Sequence, residues 1–201
     1  MKRLILGTLL FTSAIVGSIH AAALGNGIKI GEVTATSAIV WTRVTETVGF
    51  NTSGVPFKDE DEAVPAGLTL PEMRYSLTGT AGDVRVVYWP REHIGEKVWR
   101  PWMPAATDRD FTAQTQLHGL TPGTHYTVEV HLRSADLPGT VVGYQGQFHT
   151  APAENDDAAV NFTVVPCHDL IRRADVENGP RIYPAMAPPK PQVMVHAGDV
   201  A

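Results

Sequence analysis

The sequence predicts a mainly β protein. A sandwich of two antiparallel sheets is expected over residues 24–152, followed by an incomplete α/β segment over 153–201. Three observations carry this expectation. Short runs alternate apolar and polar residues with period two, the mark of strands with one buried face. Turn formers punctuate those runs: 18 glycines and 15 prolines stand among 201 residues. From Val160 onward the runs become short and uniformly apolar, which suits parallel strands covered on both faces.

Composition narrows the function. Apolar residues make up 43% and charged residues 18%, ordinary values for a folded domain and too apolar for a disordered chain. The formal net charge is −5, so the sequence carries no nucleic-acid footprint. The single cysteine excludes an intrachain disulfide framework and any zinc finger built on cysteine pairs.

Residues 1–23 read as a secretory signal peptide. Lys2 and Arg3 give a positive start, Leu4 to Ile19 is an apolar run, and Ala21, Ala22 and Ala23 offer small residues for cleavage. The run is shorter than the ~20 residues that span a bilayer, so cleavage is expected rather than anchoring, with no membrane span afterwards. The pair Lys2-Arg3 is not a twin arginine, and no cysteine follows the run to take a lipid. The mature chain is expected to be exported, to the periplasm, the cell surface or the medium.

The sandwich strands follow in order. Ile28 to Val33 is the first. Ala38 to Val44 is the second, with Ile39 and Trp41 sharing one face, which is read as the core face. Residues 50–72 lack periodicity and contain the acidic run Asp59 to Glu62, a solvated surface loop. Val84 to Trp89 is a strand ended by Pro90, and Phe111 to Leu117 alternates again. Pro122-Gly123 makes a turn. After it Tyr126, Val128, Val130 and Leu132 are assigned to the core, and His125, Thr127, Glu129 and His131 to solvent. Tyr144 to Phe148 is the last strand. Strands at this spacing suggest an immunoglobulin- or fibronectin III-like sandwich, and Leu120-Thr-Pro-Gly-Thr-His-Tyr126 resembles its tyrosine corner. His118, His125, His131 and His149 read as exposed strand histidines. His125 and His131 share a face but stand about 20 Å apart at ~3.3 Å per residue, too far to share a metal.

Ala151 to Ala159 is polar and small, a linker. Val160 to Val165 is a strand stopped by Pro166, with Cys167, His168 and Asp169 at its exit. Asp169 to Glu177 is expected to form a short helical turn. Pro184, Pro188, Pro189 and Pro191 make the next stretch poorly helical. Val193 to His196 is a second apolar strand that ends in Ala197-Gly198-Asp199. Ligands of open α/β sheets bind beyond the carboxyl ends of strands, where Cys167 and Asp199 fall. A thiolate and a carboxylate together can hold a Lewis-acidic metal that orients a phosphate ester and acidifies a bound water.

The chain resembles the alkaline phosphatase D (PhoD-like) family of exported phosphodiesterases and phosphomonoesterases. The resemblance rests on Thr36-Ser-Ala-Ile-Val-Trp-Thr-Arg43, Asp108-Arg-Asp-Phe-Thr112, Leu117 to Tyr126, Phe148-His-Thr150, Phe162 to Asp169 and Val195-His-Ala-Gly-Asp199. These pieces occur in the family's order and cover most of the mature chain. The resemblance implies a fibronectin III-like N-terminal domain over 24–152 and the start of a calcineurin-like metallophosphoesterase domain over 153–201. It implies that Cys167 is a ligand to iron and that Asp199 is the metal-bridging aspartate of a Gly-Asp-x-x-Tyr block. His168, Asp169 and His196 stand beside these residues as supporting groups. Iron and calcium are the implied metals. The tyrosine of that block would fall three positions past Asp199, beyond Ala201, as would the later Asn and His/Asp blocks.

Two readings follow. In the first, the chain is the N-terminal part of an exported metal-dependent phosphatase or phosphodiesterase, inactive as it stands, whose full-length form takes a small phosphate ester. In the second, it is an exported, non-catalytic β-sandwich binding module. Ser-His-Asp hydrolysis is disfavoured, because no Gly-x-Ser-x-Gly elbow occurs.

Overall fold

The computed structural model describes residues 22–58, 63–135, 139–166, 174–175, 179–180, 182–186 and 191–198. Eight strands build a sandwich: β1 (Ile28–Gly31), β2 (Ser37–Arg43), β3 (Gly82–Pro90), β4 (Val98–Trp99), β5 (Met103–Ala105), β6 (Thr112–His118), β7 (His125–Arg133) and β8 (Val141–His149). One sheet has the order β1-β2-β6. The other has the order β4-β3-β7-β8, with β5 also paired to β3. All these pairings are antiparallel. Among the described residues, no helix is long and apolar enough to cross a membrane.

Alternation sets the core. Val84, Val86 and Tyr88 of β3 and Tyr126, Val128, Val130 and Leu132 of β7 meet Ala38 and Val40 of β2 and Ala113 and Leu117 of β6. Ile28, Ile30 and Phe148 close its margin. On β8 the inner position opposite Val128 is Gly146. A Cβ there would come within 2.7 Å of Ile28 Cδ1, so glycine is what lets β1 approach that strand.

The expected inward assignment of Ile39 and Trp41 is reversed. β2 turns Ala38, Val40 and Thr42 inward and leaves Ile39 and Trp41 half-buried on the outside. Period two determines which residues share a face, and the space between the sheets determines which face is inside. Lys29, the register partner of Trp41, lays its ammonium 5.1 Å from the indole centre.

The outer face of β3 and β7 is also covered, which corrects the assignment of Thr127 and His131 to solvent. Both are buried, as are Val87 and Trp89. The segment after β3 folds back over this face, with β4 pairing Val87 to Trp99 and Tyr88 to Val98. It lays cations against tryptophans. Lys97 Nζ lies 4.1 Å from the Trp89 ring, Arg85 lies 4.5 Å from both Trp99 and Trp102, and Arg133 lies 4.3 Å from Trp102. Each such contact contributes about 0.5–2 kcal/mol, more where water is excluded. His131 meets the Trp99 ring edge-on at 5.4 Å and bonds Glu129 through Nε2 at 3.1 Å. Strands β4 and β5 are two and three residues long, too short to show a period; Pro101 lies between them and Pro104 lies within β5.

Side chains fasten the turns. The Thr121 N–H donates to Tyr126 Oη at 2.9 Å, so the tyrosine corner is present. Thr150 Oγ1 donates to the Thr121 carbonyl at 2.7 Å and accepts from the Thr124 N–H at 2.8 Å. Arg43 grips Asp110 with two parallel bonds, 3.1 and 2.9 Å, and donates to the Leu77 carbonyl at 2.8 Å. At the chain's start, Ala22 and Leu24 are buried, and Ala23 exchanges two 2.8 Å backbone bonds with Thr45. Ala22 and Ala23 are thus packed into the sandwich, although they close the expected leader. The acidic run Asp59 to Glu62 lies outside the described residues.

Past Ala159 the described pieces are small. β9 (Phe162–Val165) and β12 (Val193–His196) pair in parallel, as expected of two strands of one open sheet. Between them β10 (Ala174–Asp175) pairs with β11 (Gly179–Pro180), which displaces the expected helical turn at its described positions. A five-residue helix, α1 (Ile182–Met186), contains Pro184, against the expectation of a poorly helical stretch. Pro184 falls in the first turn, where a helix leaves its N–H groups unbonded, so proline costs it little.

Two outcomes are expected. Tyr126→Phe leaves the Thr121 N–H without its partner and lowers stability by about 1–2 kcal/mol, read as a fall in urea midpoint. The Tyr88 phenol is pushed above its ordinary value chiefly by burial, with Tyr126 adding to the rise and Arg100 opposing it. The folded state therefore holds that proton more tightly than the unfolded chain. This contribution is intact below about pH 10 and is lost as pH rises beyond it. Tyr88→Phe should flatten the loss of stability between about pH 9 and pH 11, measured by urea titrations at each pH.

Candidate metal centre at two strand ends

The implied site depends on how β9 and β12 lie. They run side by side from Phe162 opposite Val193 to Val165 opposite His196. The ladder continues beyond both ends, through Gln192 N–H to the Asn161 carbonyl and Ala197 N–H to the Val165 carbonyl, each at 2.8 Å. The Asn161 N–H also donates to Gln192 Oε1 at 2.7 Å. Parallel pairing sends both chains out at one edge. Pro166 follows Val165, Ala197 follows His196, and Gly198 then adopts φ 143°, a backbone angle that side-chain-bearing residues rarely take.

The edge where the two chains emerge is thus defined by structure. Cys167, His168 and Asp169 come directly after Pro166, and Asp199 comes directly after Gly198. All four lie outside the described residues. Of the five expected site residues only His196 is described, half-buried at the end of β12. Among the described residues, no group of three or more histidine, cysteine, aspartate or glutamate side chains could hold a metal. A thiolate and a carboxylate leaving adjacent strand ends are a donor set a transition metal accepts. Two such donors are only part of a coordination sphere.

Burial at this pair departs from expectation. Val165 is buried, whereas Val160, Phe162 and Val164 are exposed, and so are Val193, Met194 and Val195. The run was read as covered on both faces. Among the described residues these four-residue strands pair only with each other, and both faces remain largely open to water.

Between this pair and the sandwich lies a cleft of about 460 Å³, with Ile30, Phe148, Val160 and Met194 among its walls. Among the described residues of its lining, Glu32 is the one acidic group, His149 is the one histidine, and no lysine or arginine is present.

The strand histidines separate by environment. His118 and His125 are exposed, His149 is half-buried and His131 is buried. Sequence reading compared His125 with His131 along one strand and missed its neighbour across the sheet. His125 stands opposite His149, with ring centres 4.2 Å apart. The signal was present in two strands that each carry a histidine at one end, but their register was not. A shift between Val130 and His131 alters the pairing along β7 and β8, so residue counting alone does not give it.

The N-terminal domain model of the PhoD-like phosphatases matches residues 12–152. The chain belongs to the PhoD-like phosphatase family. Its fold is similar to that of the solved structure of PhoD, with TM-score 0.61 and 17% identity, covering 92% of this chain and 29% of that one. The chain spans less than a third of the PhoD structure's length. The sensor domain of the anti-sigma factor RsgI4 in Pseudobacteroides cellulosolvens is similar over 67% of this chain and 97% of that one, at 17% identity and TM-score 0.38. A fibronectin type III domain derived from the human KIAA0970 protein is similar over 70% of this chain and 80% of that one, at 10% identity and TM-score 0.37. No curated protein matches the sequence.

The β9–β12 pair generates one expectation for this family member. Its amides open more readily than those of the sandwich, because little apolar area is buried against it. Hydrogen exchange at Val164, Val165 and Val195 should run at least ~100-fold faster than at Val86 and Val130, measured by two-dimensional NMR.

Proposed function

We propose that this chain is the N-terminal part of an exported, metal-dependent phosphatase or phosphodiesterase, and that residues 153–201 begin its catalytic domain. The observation that carries this is the parallel pairing of β9 with β12 directly after a PhoD-like N-terminal domain. That pairing ends both strands at one edge, one residue before Pro166 and two before Gly198, which precede Cys167 and Asp199 in sequence. The chain's 29% share of the PhoD structure's length supports reading it as a part.

In this reading Cys167 and Asp199 hold metal, with iron and calcium the metals implied by the family resemblance. A metal held there supplies Lewis acidity for attack of water on a phosphate ester. The chain's own contributions are structural. The β9–β12 ladder sets the spacing of the two exits, and Gly198 gives the backbone its turn before Asp199. His168 and Asp169 follow Cys167 directly, His196 lies three residues before Asp199, and in this reading they serve to orient the ligands. Export rests on the leader-like residues 1–23.

Purified residues 22–201 should show no metal-dependent turnover of p-nitrophenyl phosphate or bis(p-nitrophenyl) phosphate. A longer chain that continues past Ala201 through further ligand-bearing blocks should turn over at least one of them, and Asp199→Asn in it should abolish the activity. Turnover by residues 22–201 that survives Asp199→Asn would overturn the reading. Specific binding of a glycan or protein by the sandwich, with an inactive longer chain, would favour the non-catalytic binding module.

A further inference from the structure

The described residues hold a second pair of metal-capable side chains, outside the strand-end site. His125 opens β7 and His149 closes β8, directly opposite each other in the antiparallel ladder. Their ring centres lie 4.2 Å apart with the planes inclined at 40°.

The backbone beneath the pair is fixed from several sides. The Arg91 N–H donates to the His125 carbonyl at 2.8 Å, and the Thr150 N–H donates to the Thr124 carbonyl at 3.1 Å. The Gly123 N–H donates to the Ala151 carbonyl at 2.9 Å. The Thr124 N–H donates to Thr150 Oγ1 at 2.8 Å. Both Cα positions are therefore set before any ligand arrives, and only the two rings have to adjust. His125 is exposed and His149 half-buried, so water can reach the remaining positions of a bound ion.

We propose that His125 and His149 form a bis-imidazole site for a divalent transition metal of tetragonal preference, Cu(II) first and Ni(II) second. The geometry selects the class. A metal–nitrogen bond of ~2.0–2.1 Å places the metal roughly 3.2 Å from each imidazole centre. If each ring turns a nitrogen to one shared ion with the centres kept 4.2 Å apart, they subtend about 80–85° at the metal, close to the right angle between cis positions of a tetragonal ion. A tetrahedral ion would need the centres roughly 5 Å apart. The donors are neutral nitrogens, which suit copper and nickel and do not suit calcium or magnesium. Within the divalent series, nitrogen sites favour Cu(II) most. Two protein donors make this a weak, exchangeable site whose other positions are filled by water.

Copper titration of the full chain tests the proposal, in a Cys167→Ser background that removes the thiolate. Isothermal calorimetry should find one strong equivalent of Cu(II). Its electron paramagnetic resonance spectrum should be tetragonal, with superhyperfine splitting from two imidazole nitrogens. His125→Gln and His149→Gln should each weaken that equivalent at least ~10-fold, within the range that altered metal environments produce. His118→Gln, on the other sheet, should leave it unchanged. Copper should raise the melting temperature of the parent chain and not of the double variant. Metal-free melting of each variant, matched to the parent, shows that the fold is retained. The proposal is overturned if the double variant binds the first equivalent as tightly as the parent, or if the spectrum reports fewer than two imidazoles.

Discussion

The narrow space between the two sheets is the constraint on which the rest of this fold depends. Facing sheets pack about 10 Å apart, and side chains from both must interdigitate in that gap. It is filled mainly by valine, alanine and leucine, with Val40, Val84, Val128 and Val130 nearly or fully excluded from water. Tyr88 and Tyr126 are the largest residues wholly inside it, and they lie against each other at 6.2 Å. Tyr126 also carries the hydroxyl that fastens the preceding turn. One residue thus fills the core and fixes the connection into β7.

That constraint explains where sequence reading succeeded and where it reversed. Alternation in β7 correctly placed Tyr126, Val128, Val130 and Leu132 between the sheets, but it did not show that Thr127 and His131 on the other face are covered as well. It failed in β2, where both faces carry apolar residues. Ile39 and Trp41 are the larger pair, and size suggested the core. The inner side accepts Ala38 and Val40 because β6 presents Ala113 and Leu117 there. The burial of His131 was illegible for another reason. Its cover comes from Lys97 and Trp99, more than thirty residues earlier, in a segment too short and too proline-rich to announce a strand.

The strand pair that precedes Cys167 and Asp199 was legible in outline. Two apolar runs, each ended by a potential metal ligand, were read as neighbours in one sheet, and β9 and β12 pair in that way. Their exposure follows from the same count, because two strands alone cannot cover both faces of a parallel sheet. Sequence gave the pairing of local elements here, and packing distinguished a closed sandwich from an open pair. The His125–His149 pair shows the converse. Each histidine looked like an ordinary surface residue, and only the cross-strand register made them neighbours.

All four tryptophans lie outside the intersheet core, each beneath a cation: Trp41 under Lys29, Trp89 under Lys97, Trp99 under Arg85, and Trp102 under Arg85 and Arg133. The tryptophan emission of this protein therefore originates in its two outer surfaces. It reports on the β4 segment and the cations beside it, while the packing of valines between the sheets leaves it unmoved. A loosening of that flap would redden the spectrum with the sandwich still closed, and circular dichroism would separate the two events.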